Sequence, residues 1–245
     1  MTLAPPLVPA ADLVAALRGP GHSVVDADQW CPAWGMSLPT LQALAPTWHD
    51  LPPDNYLRDG GRYRRRRHGC WVADAATLTA VPHRPHWQPV EYNALHGGIE
   101  RHFEPIDPQV AGSAAWRGLL GGLATVASAV AGARPWYIEA HQFRIDTTDG
   151  IGRPTPEGAH RDGVDFVAVF LVDRVGVKGG ETRVFEADGP AGLRFTLSRP
   201  WTLLMLDDAR VIHESTPIQP VDAGAPAWRD TLVVTLRRGG FQGPP

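Results

Sequence analysis

From Trp136 onward the chain reads "WYIEAHQFRID", "VDFVAVFLVD", "ETRVFEA", "LRFTLS", "WTLLMLDD", "RVIHEST" and "DTLVVTLRR". These are about seven runs rich in β-branched and aromatic residues, parted by Gly, Pro and Asp. No helical crossover separates them, which disfavours a parallel βαβ sheet and leaves antiparallel pairing. Strands this short and this closely spaced predict a mainly β fold, a jelly roll, cupin or similar barrel, over residues 136–240.

The first half has a different texture, helix-leaning and punctuated by proline. In "AADLVAALRG" the apolar residues Leu13, Ala16 and Leu17 share a helical face, Asp12 can cap and Gly19 can stop the turn. "SLPTLQALAPTWHDL" repeats the pattern, with Ser37 as N-cap and Pro46 as breaker. The longest pattern starts at Asp107 and Pro108, places Trp116, Leu119, Leu120, Leu123, Val126, Ala127 and Val130 at helical spacing, and ends at Gly132 and Pro135. Residues 1–135 therefore read as a helix-rich part with flanking helices that pack on the barrel. The whole chain, 1–245, reads as one domain, because a chain of this length can bury a single good core.

Composition narrows the function classes. A net charge of -3 and a pI near 6.3 give no long-range attraction to nucleic acid or to an anionic membrane. The run "RYRRRRHG" from Arg62 to Gly69 invites a nucleic-acid reading, but no further basic stripe accompanies it. It is expected to be a solvated strand or loop with one arginine at the rim of the site. Cys31 and Cys70 form no CxxC pair, which favours a reducing compartment over a disulfide framework. The N-terminal residues carry no signal-peptide pattern and no apolar run looks long enough to span a bilayer, so the expectation is a cytoplasmic protein without membrane partners. GxGxxG in strand-to-helix context, P-loop and GxSxG patterns are all missing.

The chemistry concentrates in "EGAHRDGVDF". In an extended segment His160 and Asp162 point the same way, so both can face one ion. A lone HxD recurs by chance, and a third ligand is needed. His213, 51 residues beyond Asp162 in "DDARVIHESTP", ends a strand-like run with enough chain between for several antiparallel strands to go out and return. His22, His49, His68, His83, His86, His96 and His102 precede the barrel and read as surface or structural. His141 is the best rival, although a strand histidine is more often buried and hydrogen-bonded. Asp207 and Asp208 read as closing a turn, and Gly179 and Gly180 as a tight turn or bulge. Two histidines and one carboxylate are the facial triad of non-haem iron(II) oxygenases, and zinc hydrolases also use them. Arg229, 16 residues after His213, shares a strand face with Thr231, and a guanidinium fork beside a hydroxyl suits a carboxylate such as that of a dicarboxylate cosubstrate.

HxD, a distal His and Arg-x-Thr together resemble the Fe(II)/2-oxoglutarate-dependent dioxygenases. "LPPDNYLRDGGRYRRRR", "HQFRI", "PEGAHRDGVDFV", "VKGGETRVF", "LLMLDDARVIHESTPI" and "RDTLVVTLRR", spread between about Leu51 and Arg238, resemble the bacterial subfamily of L-isoleucine 4-hydroxylase and related free-amino-acid dioxygenases. The resemblance implies a double-stranded β-helix. It implies that His160, Asp162 and His213 bind Fe(II), that Arg229 and Thr231 bind 2-oxoglutarate, and that O2 is the second cosubstrate. The implied reaction hydroxylates an unactivated C–H bond of a free L-amino acid and releases succinate and CO2. For substrate binding the candidates are Gln142 and Arg144, which share a face of "HQFRI", and Glu157 just before the HxD. The alternative is a cupin-like metal-binding isomerase or sensor without oxygen chemistry, which would have no need of a dicarboxylate anchor at Arg229 and Thr231. A nucleic-acid demethylase on the same fold would want a basic groove with stacking aromatics, which the composition does not favour.

Overall fold

The computed structural model describes residues 3–244. They contain twelve strands: β1 (His22–Val25), β2 (Arg64–Asp74), β3 (Thr77–Ala80), β4 (Trp136–Asp146), β5 (Phe166–Val175), β6 (Val177–Gly179), β7 (Thr182–Glu186), β8 (Gly192–Phe195), β9 (Leu203–Asp207), β10 (Val211–Ser215), β11 (Ile218–Pro220) and β12 (Trp228–Arg237). Seven of them form a large sheet in the order β1-β9-β5-β12-β4-β2-β3, and every pair in it is antiparallel. The other five form a three-stranded sheet, β10-β7-β8, and a two-stranded one, β11-β6. This is the double-stranded β-helix, mainly β with flanking helices.

The period-2 alternation of the strands sorts the two faces of the large sheet. Ile138 and Ala140 of β4, Ala168 and Phe170 of β5 and Leu232 and Val234 of β12 join a core shared with Trp30, Trp48 and Trp116 from the helical part. Full burial of an indole removes roughly 150–250 Å² from water and stabilises by about 4–6 kcal/mol before entropy is counted. On the opposite face Val167 and Leu171 of β5 and Leu204 and Leu206 of β9 pack on Val184, Phe195 and Val211 of the three-stranded sheet. The lower part of that same face, where β2, β4 and β12 lie side by side, borders a cavity instead.

Three details depart from the sequence reading. The tetra-arginine run is the start of β2, an inner strand of the large sheet, and two of its arginines face the interior, with Arg64 6% and Arg66 3% exposed. The helix-rich first part thus also supplies β1, β2 and β3 to the large sheet. The expected single helix from Asp107 is two helices, Pro108–Ala111 and Ala114–Ala131, because Ser113 caps the second by accepting from the Trp116 N–H at 3.1 Å. That second helix, at 18 residues, is long and apolar enough to cross a bilayer by length and composition, contrary to the expectation of no such run. Here its apolar face packs on the sheet, and Gly122 lets the Trp34 ring lie directly against its backbone.

Candidate active site

His160 and His213 are brought opposite each other by backbone pairing: the His160 N–H donates to the His213 carbonyl and the His213 N–H to the His160 carbonyl, both at 3.0 Å. β10 is held on its other edge by β7, so the His213 side of the pair rests on a sheet. The HxD loop is shaped by Asp208, fully buried, whose carboxylate accepts from the backbone N–H groups of Asp162, Gly163 and Val164 at 2.8–3.1 Å. Asp207 closes the turn before β10, as the sequence suggested, whereas the Asp208 carboxylate holds the HxD loop some 45 residues away.

The result is three ligand atoms around a gap. His160 Nε2 lies 3.8 Å from Asp162 Oδ1, and His213 Nε2 lies 3.7 Å from Asp162 Oδ2. Those separations are too long for hydrogen bonds. They suit an ion bound at roughly 2.0–2.2 Å from each atom. His160 Nδ1 donates to the Gly158 carbonyl at 2.8 Å, which leaves its Nε2 lone pair on the gap side. Burial and the neighbouring His160 push His213 down to about 3, and its Nδ1 has no partner. For His160 burial works downward, yet the carboxylates of Asp162 and Glu157 outweigh it and raise its pKa. Burial likewise raises Asp162, against the pull of His160 and with Glu157 adding repulsion. A neutral imidazole, a carboxylate and a second imidazole held this way form a donor set that a divalent metal would complete.

A second histidine cluster lies close by. His68, His86, Glu139 and His141 are all buried, and their ligand atoms also lie within 4.8 Å of one another. Here, however, His68 Nε2 and His86 Nδ1 both donate to Glu139 Oε2, at 2.8 and 2.7 Å, and Arg66 donates to His141 Nδ1 at 2.7 Å. Burial drives His86 down to about 3 and His68 and His141 below their ordinary value, so all three are neutral. Glu139 stays ionised, because the histidines that donate to it outweigh its desolvation.

Both clusters touch one cavity of about 860 Å³, part of it open to solvent. Its floor is the inward face of β12, where Arg229, Thr231, Val233 and Thr235 follow one another at period 2. Arg229 is 3% exposed and forms no side-chain hydrogen bond or ion pair among the described residues, and its Nε is without a partner. Burial and the nearby Arg174 push it down to about 10, so it remains a cation at neutral pH. A buried, unpaired guanidinium costs several kcal/mol unless an anion completes it. Arg229 and Thr231 thus line the same cavity as His160, Asp162 and His213, with a guanidinium that could receive an anion.

The three substrate candidates separate. Glu157 lines the cavity, with Oε1 3.5 Å from His160 Nε2 and Oε2 buried without a partner. Gln142 and Arg144 are turned away. On β4 it is His141, Phe143 and Ile145 that face the cavity, while Gln142 donates to Thr47 at 2.9 Å and Arg144 makes a bidentate pair with Asp230 at 2.6 and 2.8 Å beneath Trp228. The alternation that gave these two a common face was sound, but that face looks toward the helices.

Several cavity residues had no signal in the sequence. Residues 81–107 have no long helix or strand, yet they fold over the cavity because His86 and Arg101 exchange backbone hydrogen bonds at 2.9 and 3.0 Å and His68 pairs with Pro105. This loop delivers His86, Gln88, Asn93 and Arg101. Gln88 donates to Asp162 Oδ1 at 3.0 Å and so orients a gap residue from outside the barrel. Asp54, in the segment before β2, pairs with Arg64 of that strand at 2.7 Å and lies 3.6 Å from Arg66, whose guanidinium is sandwiched between Phe103 and Phe143.

Comparison with known proteins agrees with this geometry. The family model described as 2OG-Fe dioxygenase matches residues 45–235. Among solved structures the chain is similar to a bsmA homolog from Methylobium petroleophilum PM1, at 51% identity and a TM-score of 0.93, covering 99% of this chain and 98% of that one. It shares the fold of IDO from Bacillus thuringiensis (16% identity, TM-score 0.76, 94% and 95% covered) and of the Fe(II)/(alpha)ketoglutarate-dependent dioxygenase TqaL (18%, 0.72, 95% and 90%). No curated protein matches it in sequence.

Proposed function

This chain belongs to the 2OG-Fe dioxygenase family, an oxidoreductase family that uses Fe(II), 2-oxoglutarate and O2, and on that premise we propose that it hydroxylates an unactivated C–H bond of a free L-amino acid, as the subfamily of L-isoleucine 4-hydroxylase does. The observation that carries the reading is the unpaired Arg229 guanidinium facing the same cavity as His160, Asp162 and His213. A non-oxidative cupin would have no use for a buried cation there.

In this reading His160, Asp162 and His213 hold the iron. Iron(II) with 2-oxoglutarate and O2 supplies the oxidising power that breaks the C–H bond, with succinate and CO2 as coproducts. The chain's own residues bind, orient and exclude water. Arg229 takes the distal carboxylate of 2-oxoglutarate through its planar fork, and the Thr231 hydroxyl adds a hydrogen bond. The Gly158 carbonyl and the Gln88 amide keep His160 and Asp162 in their orientations, a role that second partners of metal ligands commonly fill. Glu157 Oε2, buried and unpartnered, is an acceptor for the substrate ammonium. Phe143, Ile145 and Val169 give an apolar wall for an aliphatic side chain.

The test is succinate release by protein reconstituted with Fe(II) without oxygen and then given 2-oxoglutarate, O2 and each of the free amino acids in turn, beside an Asp162→Ala control. One or a few amino acids should raise succinate well above the control, with a product heavier by one oxygen. Stimulation by none of them would remove the free-amino-acid reading.

A further inference from the structure

The cavity holds a second buried guanidinium with no carboxylate partner among the described residues. Arg101 is 2% exposed, its Nη2 donates to Gln88 Oε1 at 2.8 Å, and its Nε has no partner. Burial, with Arg64 adding repulsion, pushes it down to about 10, so it is charged at neutral pH. Of the carboxylates that act on it, Glu157 lines the same cavity without an ion pair to it, and the other two are committed elsewhere. Asp54 serves Arg64 and Arg66, and Glu139 serves His68 and His86. Arg101 thus stands on its wall of the cavity as Arg229 stands on the floor, as a buried cation without an ion pair among the described residues.

Resting on the amino-acid reading above, we propose that Arg101 binds the carboxylate of the substrate and that Gln88 positions it relative to the metal site. Gln88 Oε1 accepts from Arg101 and, at 3.1 Å, from Asn93, which fixes the side-chain amide so that its nitrogen faces Asp162 Oδ1 at 3.0 Å. One amide therefore spans from the anion-binding guanidinium to a metal-facing carboxylate. Glu157, with its free Oε2, lines the same cavity. A cation for the carboxylate and an anion for the ammonium are the two fixed points that an α-amino acid offers whatever its side chain. With both ends held, the side chain is left to reach the apolar wall and the metal. A lysine in place of Arg101 would keep the charge but lose the fork that grips both carboxylate oxygens.

The proposal is tested by calorimetry on the protein loaded with Fe(II) and 2-oxoglutarate in the absence of oxygen. The probes are L-leucine, L-isoleucine and L-methionine, their carboxamides, and 4-methylpentanoate, which keeps the carboxylate and lacks the ammonium. Wild-type protein should bind at least one carboxylate probe and bind its amide about 100-fold more weakly, the loss expected when one partner of a buried charged pair is removed. Arg101→Gln should weaken the carboxylate by a similar factor, narrow the difference between acid and amide to less than about fivefold, and leave 2-oxoglutarate binding within about twofold. Arg101→Lys should recover part of the loss. The proposal is overturned if acid and amide bind wild type alike, if Arg101→Gln binds carboxylates as wild type does, or if no carboxylate probe binds. Should Arg101→Gln fail to fold, the acid and amide comparison on wild type still decides. Arg101-dependent binding of 4-methylpentanoate without turnover of any amino acid would sustain the clamp and sink the amino-acid reading. Loss of 2-oxoglutarate binding in wild type would instead strike the oxygenase reading itself.

Discussion

The two histidine clusters that share this cavity have nearly the same composition and opposite construction. In the one formed by His160, Asp162 and His213 the ligand atoms stand 3.7–3.8 Å apart, and His213 Nδ1 is left without a partner. In the other, Glu139 draws His68 and His86 to 2.8 and 2.7 Å, and Arg66 donates to His141. The first is an open donor set. The second is closed by its own hydrogen bonds, and Arg66 beside His141 and Arg84 at 3.6 Å from Glu139 oppose a further positive charge. Histidine count does not distinguish a metal centre from a structural network; spacing and the sign of the surrounding charge do.

Removing a member of each cluster should separate them most sharply in metal content. Asp162→Ala is expected to lose bound iron and to drop succinate release to the level of protein-free controls. Glu139→Gln should keep about one iron per chain by elemental analysis. Two irons in wild type, with one lost in Glu139→Gln, would break the comparison. Next in size, Arg229→Gln should raise KM for 2-oxoglutarate by about 100-fold with a smaller change in kcat, since it removes a charged contact made before and during the reaction alike. A KM within about threefold of wild type would show that the cosubstrate does not rest on Arg229.

Stability should run the other way. Glu139→Gln leaves two buried imidazoles without their ionised acceptor and is expected to cost about 2–4 kcal/mol in urea unfolding of the metal-free protein. Asp162→Asn in the same metal-free protein relieves a buried, repelled carboxylate and should be neutral or stabilising by up to about 1 kcal/mol. Equal costs at the two positions would mean that both clusters are structural.

The smallest effect is a pH slope. His68, His86 and His141 have folded pKa values below the unfolded value of about 6.5, so below that pH the unfolded chain binds more protons than the folded one. Stability is therefore fully present above pH 6.5 and is lost as pH falls below it, by about 1.4 kcal/mol per pH unit for each histidine that stays neutral when folded. Urea unfolding between pH 7.5 and 5.5 should show the slope, and His68→Gln should make it shallower by about one proton. An unchanged slope would remove His68 from the set.

What could be read from the chain was whatever depends on neighbours in sequence. Period-2 alternation places His160 with Asp162 and Arg229 with Thr231, and the density of short strands after Trp136 marks the antiparallel barrel that carries them. The same alternation put Gln142 and Arg144 on one face, but it says only which residues share a face. Packing decides which face is inside: the helical part covers the Gln142 side of β4, so His141 and Phe143 border the cavity instead. The tetra-arginine run looked solvated because charge is costly to bury, and nothing local announced that Asp54 and two phenyl rings would offset that cost for Arg64 and Arg66. Gln88 and Arg101 lie in a loop with no periodicity and reach the site only because their backbones pair across it. The sequence by itself determined the strands after Trp136 and the local spacing of the His160–Asp162 and Arg229–Thr231 pairs, because these depend on residues close together in the chain. Only the tertiary structure decided which histidines enclose a gap, which close on each other, and which arginine stands unpaired beside the metal-facing carboxylate, because those outcomes depend on contacts between segments tens of residues apart.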